Sequence, residues 1–163
     1  MTRDIAERSM IEPETTTYIL CELAGATYGV PSAVVRHIEM IELITPIPNA
    51  PAAVEGVVFS RGQIIPALNL RRRFGFESIP HDLRTRLVVI QVNERTVGLL
   101  VDTAREFIAI PPAAIQPPPE AINQLSGDYL AGIATIGDRL IFILRVDELL
   151  IATDVLAAAD SAD

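Results

Sequence analysis

Short apolar runs separated by brief turns dominate the chain between residues 17 and 146. Four pairs of these runs enclose a turn of glycine, asparagine or charged residues, which predicts β-hairpins. The predicted turns lie at residues 24–25, 60–63, 93–95 and 137–138. Helical spacing is confined to 68–74 and 146–159, and the prolines of 45–51 and 110–120 mark connections. We therefore predict a mainly β protein with short helices, including one at the C-terminus.

A repeat divides the chain into two similar halves. The segment "YGVPSAVVRHIEMI" (28–41) aligns with "VGLLVDTAREFIAI" (97–110), and "EGVVFSRGQIIPALNLRRRF" (55–74) aligns with "AGIATIGDRLIFILRVDELL" (131–150). A unit of about five strands must curl on itself to hide its edges. We therefore expect two SH3-like five-stranded β-barrels in pseudo-duplicated halves around a shared hydrophobic core, each barrel built largely from one repeat.

The distribution of polar and apolar residues along the sequence indicates the boundaries of this domain. Residues 1–16 are polar and lack a hydrophobic period, so we expect a flexible N-terminal arm there. The domain itself is expected over 17–150, and 151–163 would form the end of the last helix and a tail. The first residues include acids and contain no apolar core, which is not the pattern of a signal peptide.

Composition narrows the choice of partners. The chain has 21 Asp and Glu against 13 basic residues, all of them Arg, and its net charge is −8. Binding to nucleic acid or to an anionic membrane needs a basic face, so this charge argues against both. No apolar stretch reaches the roughly 18–20 residues that a membrane span needs. We expect a cytoplasmic protein that does not insert into a membrane.

The sequence contains no motif for catalysis or metal binding. It has no nucleophile elbow, phosphate-binding loop, dinucleotide fingerprint or zinc-protease motif. His37 and His81 lie in dissimilar surroundings without ligand spacing, so each is expected to be a surface or rim histidine. Cys21 alternates with apolar residues and is expected to be a core thiol. Asp102 and Asp128 are candidate acids only as any aspartate is, because no motif pairs them for catalysis. We predict no enzymatic activity, no cofactor and no metal site.

Two arginine features need an explanation. The "RRR" at 71–73 is interpreted as a solvated helix turn with one packed side chain rather than as a phosphate site. Arg61 lies between Ser60 and Gly62 on a predicted tight turn, between two strongly apolar runs. The matching turn at 137–139 has a different order of residues, so the repeat does not itself require this arginine. The residues alone leave both an exposed turn residue and a placed contact open.

A series of motifs occurs in a fixed order along both halves. They are "YGV" (28–30), "VRHI" (35–38), "EGVVFSRGQIIPALNL" (55–70), "VGLLVD" (97–102) and "YLAGIATIGDRLIFILRVDELL" (129–150). Together, over about residues 17–150, they resemble CheW, the adaptor family of bacterial chemosensory arrays. The fold of that family, two five-stranded β-barrels joined through a hydrophobic core, agrees with the repeat.

The resemblance implies a non-enzymatic linker that couples the signalling tip of a chemoreceptor to the regulatory domain of a CheA-type histidine kinase, at membrane-associated receptor arrays. It places a receptor-binding groove between the barrels, on Val35, Gly56, Arg61, Gly98 and Phe107. The glycines would admit a helix, Val35 and Phe107 would supply apolar area, and Arg61 would reach acidic or amide groups. The kinase-binding residues stay unassigned.

Departures from the family pattern lie around the same groove. His37 stands where the family commonly has a glutamate, and Ser60 replaces the leucine of the usual L-R-G turn. Phe107 is larger than the usual aliphatic residue. We therefore regard His37, Ser60 and Gly62 as candidate modulators, tuned to a particular receptor or to a pathway other than flagellar chemotaxis.

Two alternatives remain open. A CheW-like adaptor could serve a twitching, gliding or surface-sensing pathway, which the residues do not distinguish. A small-barrel nucleic-acid-binding module would need exposed aromatic residues and a basic groove, whereas the chain has 5% aromatic residues, no Trp and a net charge of −8.

Overall fold

The structure, a computed structural model, describes residues 15–151. Nearly all of the predicted arm (1–16) and tail (151–163) lies outside the described residues, and the predicted last helix is observed as far as Ile151. The strands are β1 (Thr16–Leu23), β2 (Ala26–Pro31), β3 (Val35–Met40), β4 (Val54–Ser60), β5 (Gln63–Asn69), β6 (Arg86–Val92), β7 (Arg95–Val101), β8 (Thr103–Ile110), β9 (Ile115–Gln116), β10 (Leu130–Ile136) and β11 (Arg139–Leu144). The α-helices are α1 (Leu70–Arg73), α2 (Glu120–Ser126) and α3 (Val146–Ile151).

All four predicted hairpins form, as the pairs β1–β2, β4–β5, β6–β7 and β10–β11. In three of the turns both central residues have positive φ, as type I′ geometry requires: Ala24-Gly25, Arg61-Gly62 and Asn93-Glu94. The sequence pattern missed β9 and α2. Both lie within or directly after the proline-rich connection, where the prolines favoured a plain linker.

The two sheets exchange the leading hairpins of the two repeats. Sheet I has the strand order β8-β1-β2-β11-β10-β9, and sheet II has the order β3-β6-β7-β5-β4. Most strands of each sheet come from one repeat, as predicted, but β1–β2 joins the second repeat and β6–β7 joins the first. The reason is parallel pairing across the repeats, of β2 with β11 and of β7 with β5. Each sheet is thus built largely, but not wholly, from one repeat.

Both sheets curl so that their outermost strands approach each other. In sheet II, Ser60 on β4 contacts His37 and Glu39 on β3, although these strands are the two edges. In sheet I, the edge strands β8 and β9 are joined directly by residues 111–114. The prediction of a mainly β chain with two small units of about five strands is confirmed, with a two-residue sixth strand in sheet I.

The described residues form three apolar clusters, one inside each sheet and one shared by the two sheets. Along β1 the side chains alternate between two of them: Tyr18 and Leu20 lie inside sheet I, whereas Ile19, Cys21 and Leu23 lie in a cluster shared by both sheets. The third cluster lies inside sheet II, and its buried members are Val58, Ile65, Ala67, Leu87, Val89 and Leu100. The predicted shared core is therefore confirmed, and it is one of three.

Gly56 and Gly132 mark equivalent points in the two repeats, as the alignment predicts. Each lies beside a register shift in its hairpin. A Cβ on Gly56 would collide with the carbonyl oxygen of Thr45, and a Cβ on Gly132 would come within 2.9 Å of the carbonyl oxygen of Gln116. The missing side chain lets a crossing segment approach the strand closely in both halves.

Asp102 connects the two sheets at the point where the chain passes from β7 to β8. Its amide donates to the carbonyl of Glu22, and its carboxylate accepts from the amide of Ala24, each at 3.0 Å. Arg71 of α1 donates two hydrogen bonds to the same carboxylate, at 2.8 and 2.6 Å. A helix turn forms at 71–73 as interpreted, with Arg72 exposed, but two of its arginines rather than one are partly buried. The sequence did not indicate the pairing of Asp102 with Arg71, because folding joins partners that are distant in sequence.

Replacing Asp102 by Asn should lower the free energy of unfolding by about 2 kcal/mol, because hydrogen bonds to charged groups contribute about 1.5–3 kcal/mol. Burial raises the pKa of the Asp102 carboxyl, but hydrogen bonds from Arg71 and from the Ala24 amide outweigh burial and lower the pKa below its usual value. The stabilisation is therefore present above the ordinary aspartate pKa and is lost as the pH falls through the lowered value.

Urea unfolding of wild type and variant over a range of pH measures both effects. The difference should be largest at neutral pH and should shrink below about pH 4, since asparagine does not titrate. Asp128→Asn is the control, because Asp128 is exposed, and it should change stability by less than about 0.5 kcal/mol. A difference that persists unchanged at about pH 3 would contradict a role for the charge of Asp102.

Candidate protein-interaction site

Cys21 and the two histidines interact with other residues of this chain. Cys21 is buried in the shared core, where desolvation raises the pKa of its thiol to about 12, so the predicted core thiol is confirmed. His81 contacts Glu55 at 2.6 Å, and His37 is partly buried at the rim of a depression, as a surface or rim histidine would be. Within residues 15–151, no group of three or more His, Cys, Asp or Glu could hold a metal ion. No helix in that range is long and apolar enough to cross a membrane.

Arg61 forms the tip of the β4–β5 hairpin in a left-handed backbone conformation, with a φ of 48°. This conformation costs roughly 1–2 kcal/mol for a residue other than glycine. The side chain is exposed, and no hydrogen bond or ion pair joins it to another residue of the described range. The type I′ turn itself requires this conformation, as it does at Ala24, so the backbone alone does not indicate a function. The exposed guanidinium is available for a contact with another molecule.

A polar network lies beside the turn and includes Ser60, the residue directly before Arg61. The Ser60 hydroxyl donates to Glu39 Oε2 at 3.0 Å, and His37 Nε2 lies 3.0 Å from Ser60 Oγ and 2.7 Å from Glu39 Oε2. Ser60 is only 6% exposed. Both contacts of His37 use the same ring nitrogen, whereas a Ser–His–acid triad needs the acid on the opposite nitrogen. The network therefore orders the hairpin and does not activate a nucleophile.

Exposed apolar side chains surround Arg61. Phe59 and Ile64 lie directly opposite each other in the hairpin and are 73% and 63% exposed. Met40 and Leu43 are also exposed, and together with Phe59 and Arg61 they line one shallow depression. We call Met40, Leu43, Phe59, Arg61 and Ile64 the hairpin patch. Grouped apolar side chains of this kind are typical of a protein–protein contact surface.

Sequence reasoning missed the hairpin patch, although a signal was present. The strand segment "VVFS" alternates, so that Val58 points into sheet II and Phe59 points outwards. An outward phenylalanine directly opposite an outward isoleucine is unusual for a face in water. Only the pairing register shows that the two side chains are neighbours.

Three of the five predicted groove residues lie near the surface. Val35 packs, partly buried, against the shared core, and Phe107 is 67% exposed opposite Ile19 of that core. Val35 thus borders the shared core directly, and Phe107 is next to it through its strand partner; a common groove for the two residues stays a prediction. Arg61 shares a depression with His37, which is two residues from Val35 on β3.

The two predicted glycines lie inside sheet II. Gly56 pairs with Ala67, and Ala67 pairs with Gly98, so the three form one row across the strands. The chain itself fills the space beside both glycines: a Cβ on Gly98 would lie 2.5 Å from Leu87, and a Cβ on Gly56 would collide with Thr45. Their small size serves the packing of this chain, and contact with a receptor helix stays a prediction.

A fold of two curled sheets with an exposed contact surface defines a protein-interaction domain, and the comparisons agree. The family model described as CheW-like domain matches residues 17–153. The chain is 33% identical over 139 residues to the chemotaxis protein CheW of Helicobacter pylori, covering 84% of this chain and 82% of that protein. It is 30% identical over 152 residues to protein FrzA of Myxococcus xanthus, covering 92% and 94%.

A solved structure supports the same assignment. The crystal structure of scaffolding protein TtCheW from Thermoanaerobacter tengcongensis matches with a TM-score of 0.75 and 30% identity, covering 81% of this chain and 90% of that one. The chain belongs to the CheW-like family.

Alanine at Gly56 should destabilise the protein more than alanine at Gly98. At Gly56 the obstacle is the backbone of Thr45, which exchanges two hydrogen bonds with Val57, whereas at Gly98 it is the side chain of Leu87. We expect losses of about 2–4 kcal/mol and about 1–3 kcal/mol in the free energy of unfolding. Urea unfolding measures both. Wild-type stability in both variants would instead indicate open space beside the glycines.

Replacing Arg61 by Gly should leave the free energy of unfolding unchanged or raise it by up to about 1 kcal/mol, because glycine adopts positive φ without steric cost. Ala24→Gly is the matched control, since Ala24 has a φ of 50° in the equivalent position of the β1–β2 turn. Thermal unfolding compares the two. A loss of more than about 1 kcal/mol for Arg61→Gly alone would show that Arg61 makes stabilising contacts of its own.

Proposed function

We propose that this chain is a non-enzymatic adaptor that couples the signalling tip of a chemoreceptor to the regulatory domain of a CheA-type histidine kinase. Membership of the CheW-like family supports this, since relatives are named chemotaxis proteins and one is called a scaffolding protein. The observation that carries the proposal is Arg61, which is exposed, held in a left-handed turn and surrounded by exposed apolar side chains.

The receptor contact combines apolar area with one directed charge. A helical hairpin along the line where the sheets meet would cover Val35 and Phe107, whose exposed apolar surface supplies the hydrophobic term. At the end of that line, the guanidinium of Arg61 reaches carboxylate or carbonyl groups of the helix. Gly56 and Gly98 contribute by holding sheet II in shape beneath this surface.

His37, Ser60 and Gly62 act on this contact by setting the turn. Gly62 has a φ of 81°, which glycine adopts readily and which closes the hairpin behind Arg61. The hydrogen bonds among Ser60, His37 and Glu39 fix the strand that leads into the turn. We infer that these residues position Arg61 and do not themselves touch the receptor.

We infer that coupling to the kinase depends on the two sheets forming one rigid unit. The shared core and the Asp102 crossover make the two sheets one unit, so a change at the receptor contact shifts the surface offered to the kinase. Each contact is modest and reversible, and arrays gain strength from repetition. The adaptor works in the cytoplasm at membrane-associated receptor arrays and requires neither a metal nor a cofactor. Its kinase-binding residues are left unassigned.

A second candidate is the same adaptor role in a pathway other than flagellar chemotaxis. The similarity to protein FrzA of Myxococcus xanthus, which is not named a chemotaxis protein and covers 92% of this chain, is compatible with this role. His37 and Ser60, which depart from the family pattern, lie beside Arg61 and would tune the contact to a different receptor.

An NMR amide titration with the signalling-tip hairpin of a cognate chemoreceptor tests the receptor contact. Shifts should concentrate at Val35, Arg61 and Phe107, and Arg61→Glu should weaken binding at least about tenfold, which corresponds to about 1.4 kcal/mol. The charge reversal replaces an attraction by a repulsion at the point of contact.

Arg84→Glu is the matched control. Arg84 is 77% exposed and lies near the far end of β5, whereas Arg61 precedes the start of that strand, so its reversal should leave binding unchanged. Absence of shifts with a functional receptor tip, or equal weakening by both variants, would rule out the proposed receptor contact.

A further inference from the structure

One open end of sheet II forms a small polar depression. All five strands of the sheet contribute to it, because the sheet curls until its edge strands β3 and β4 meet. Its floor is apolar, since Ile65 and Val89 are each 1% exposed. The side chains at its rim include Arg36, Arg61, Gln63, Gln91 and Thr96. We call this site the two-arginine depression.

Arg36 reaches the depression because of a bulge in β3. The pairing of β3 with β6 shifts register between Val35 and His37, so Arg36 is the extra residue. A bulge changes the direction of a side chain relative to a regular strand. Arg36 is exposed, and no hydrogen bond or ion pair joins its side chain to another of the described residues. Its charge is therefore available to another molecule.

The charges around the depression are unbalanced in favour of the cations. Within the described part of the chain, no acidic side chain lines the two-arginine depression. Glu39 shares a second depression with Arg61, but its carboxylate contacts His37 at 2.7 Å and accepts from Ser60 at 3.0 Å instead of pairing with the arginine. Two arginines against this one carboxylate leave a net positive charge when His37 is neutral.

The size and the polar groups of the depression suit a single carboxylate. Its volume of about 190 Å³ lies below the roughly 300–1,000 Å³ of sites that enclose a whole small molecule. A carboxylate accepts hydrogen bonds from both guanidinium groups, and the amides of Gln63 and Gln91 can donate further ones. The neighbouring β6–β7 turn adds Glu94 and Arg95, whose opposite charges do not alter this balance.

The depression also lies on the path of the receptor helix proposed above. Arg36 directly follows Val35 on β3, and it lines the same depression as Arg61. A helix that contacts both Val35 and Arg61 therefore passes over the depression. A side chain of that helix is held at a high effective concentration there, which favours it over an anion free in solution.

We propose that the two-arginine depression binds the carboxylate of one Asp or Glu side chain of the receptor tip. The proposal rests on the proposed function and adds Arg36 to it as a residue that determines specificity. Arg36 and Arg61 together hold the carboxylate, and their planar guanidinium groups match its two oxygens. A tip with a neutral residue at that position binds more weakly, because both arginines lose their partner.

A double-mutant cycle between this chain and the receptor tip tests the proposal. Each Asp and Glu of the tip hairpin is replaced in turn by Asn or Gln, and its affinity for the wild type and for Arg36→Gln is measured by calorimetry. Arg36→Gln should weaken binding of the unchanged tip about fivefold, as expected for one exposed ion pair. Once the facing acid of the tip has been replaced, Arg36→Gln should cause no further loss, because both changes remove the same pair.

Arg84→Gln is the control for loss of charge. Arg84 precedes the start of β6, whereas Gln91 lies near the end of that strand, so this change should leave the affinity for every tip variant unaltered. Arg36→Lys keeps the charge without the planar donor group, and it should weaken binding only about twofold. Thermal unfolding of both Arg36 variants should match the wild type, since the exposed side chain has no partner within the described range to lose.

The outcomes separate this proposal from the proposed function. Unchanged affinity of Arg36→Gln, or additive effects at every acidic position of the tip, would overturn the proposal and leave the Arg61 contact standing. No binding of a functional tip would overturn both. Titration of the free chain with inorganic phosphate tests the remaining source of an anion. Saturable shifts at His37 and Gln91, without coupling to any acid of the tip, would assign the depression to a free anion and overturn the receptor carboxylate.

Discussion

The exchange of the leading hairpins between the two repeats is the constraint on which the rest of the structure depends. Strand β1 has apolar residues on both faces, so it needs a packed layer on each side. Parallel pairing of β2 with β11 and of β7 with β5 provides this arrangement, because each hairpin completes the sheet of the other repeat. Neither repeat contains a whole sheet, and the shared core is the consequence.

The exchange forces the chain to cross between the sheets, and Asp102 holds that crossover. One carboxylate there binds the β1–β2 turn and α1 together. The neighbouring arginines also have roles within the molecule: Arg72 donates to Ser78, and Arg73 lies over Tyr129. Arg61 differs from these arginines, because its side chain is exposed at a hairpin tip and makes no contact within the described residues.

Strand β5 separates two surfaces of different chemistry. Before it lies the hairpin patch, an open group of aliphatic and aromatic side chains around a cation, which suits a large partner. After it lies a cavity of about 610 Å³, whose lining includes Tyr28, Phe74, Phe76, Tyr129 and Phe142. The pseudo-symmetry of the fold does not require the phenylalanine of the hairpin patch: Thr135 stands at the position that corresponds to Phe59, whereas Leu140, which is also exposed, corresponds to Ile64. Phe59 is therefore a property of this sequence rather than of the repeat.

The sequence by itself determined the hairpins, the repeat, the buried Cys21 and the mainly β class, because these depend on alternation and turn residues over a few positions. It also showed Arg61 as a charged residue between two apolar runs. Only the tertiary structure decided the exchange of hairpins, the pairing of Asp102 with Arg71, and the grouping of Tyr28, Phe74 and Tyr129 around one cavity. The physical reason is that these contacts join residues that are distant in sequence, and local spacing carries no information about which surfaces meet.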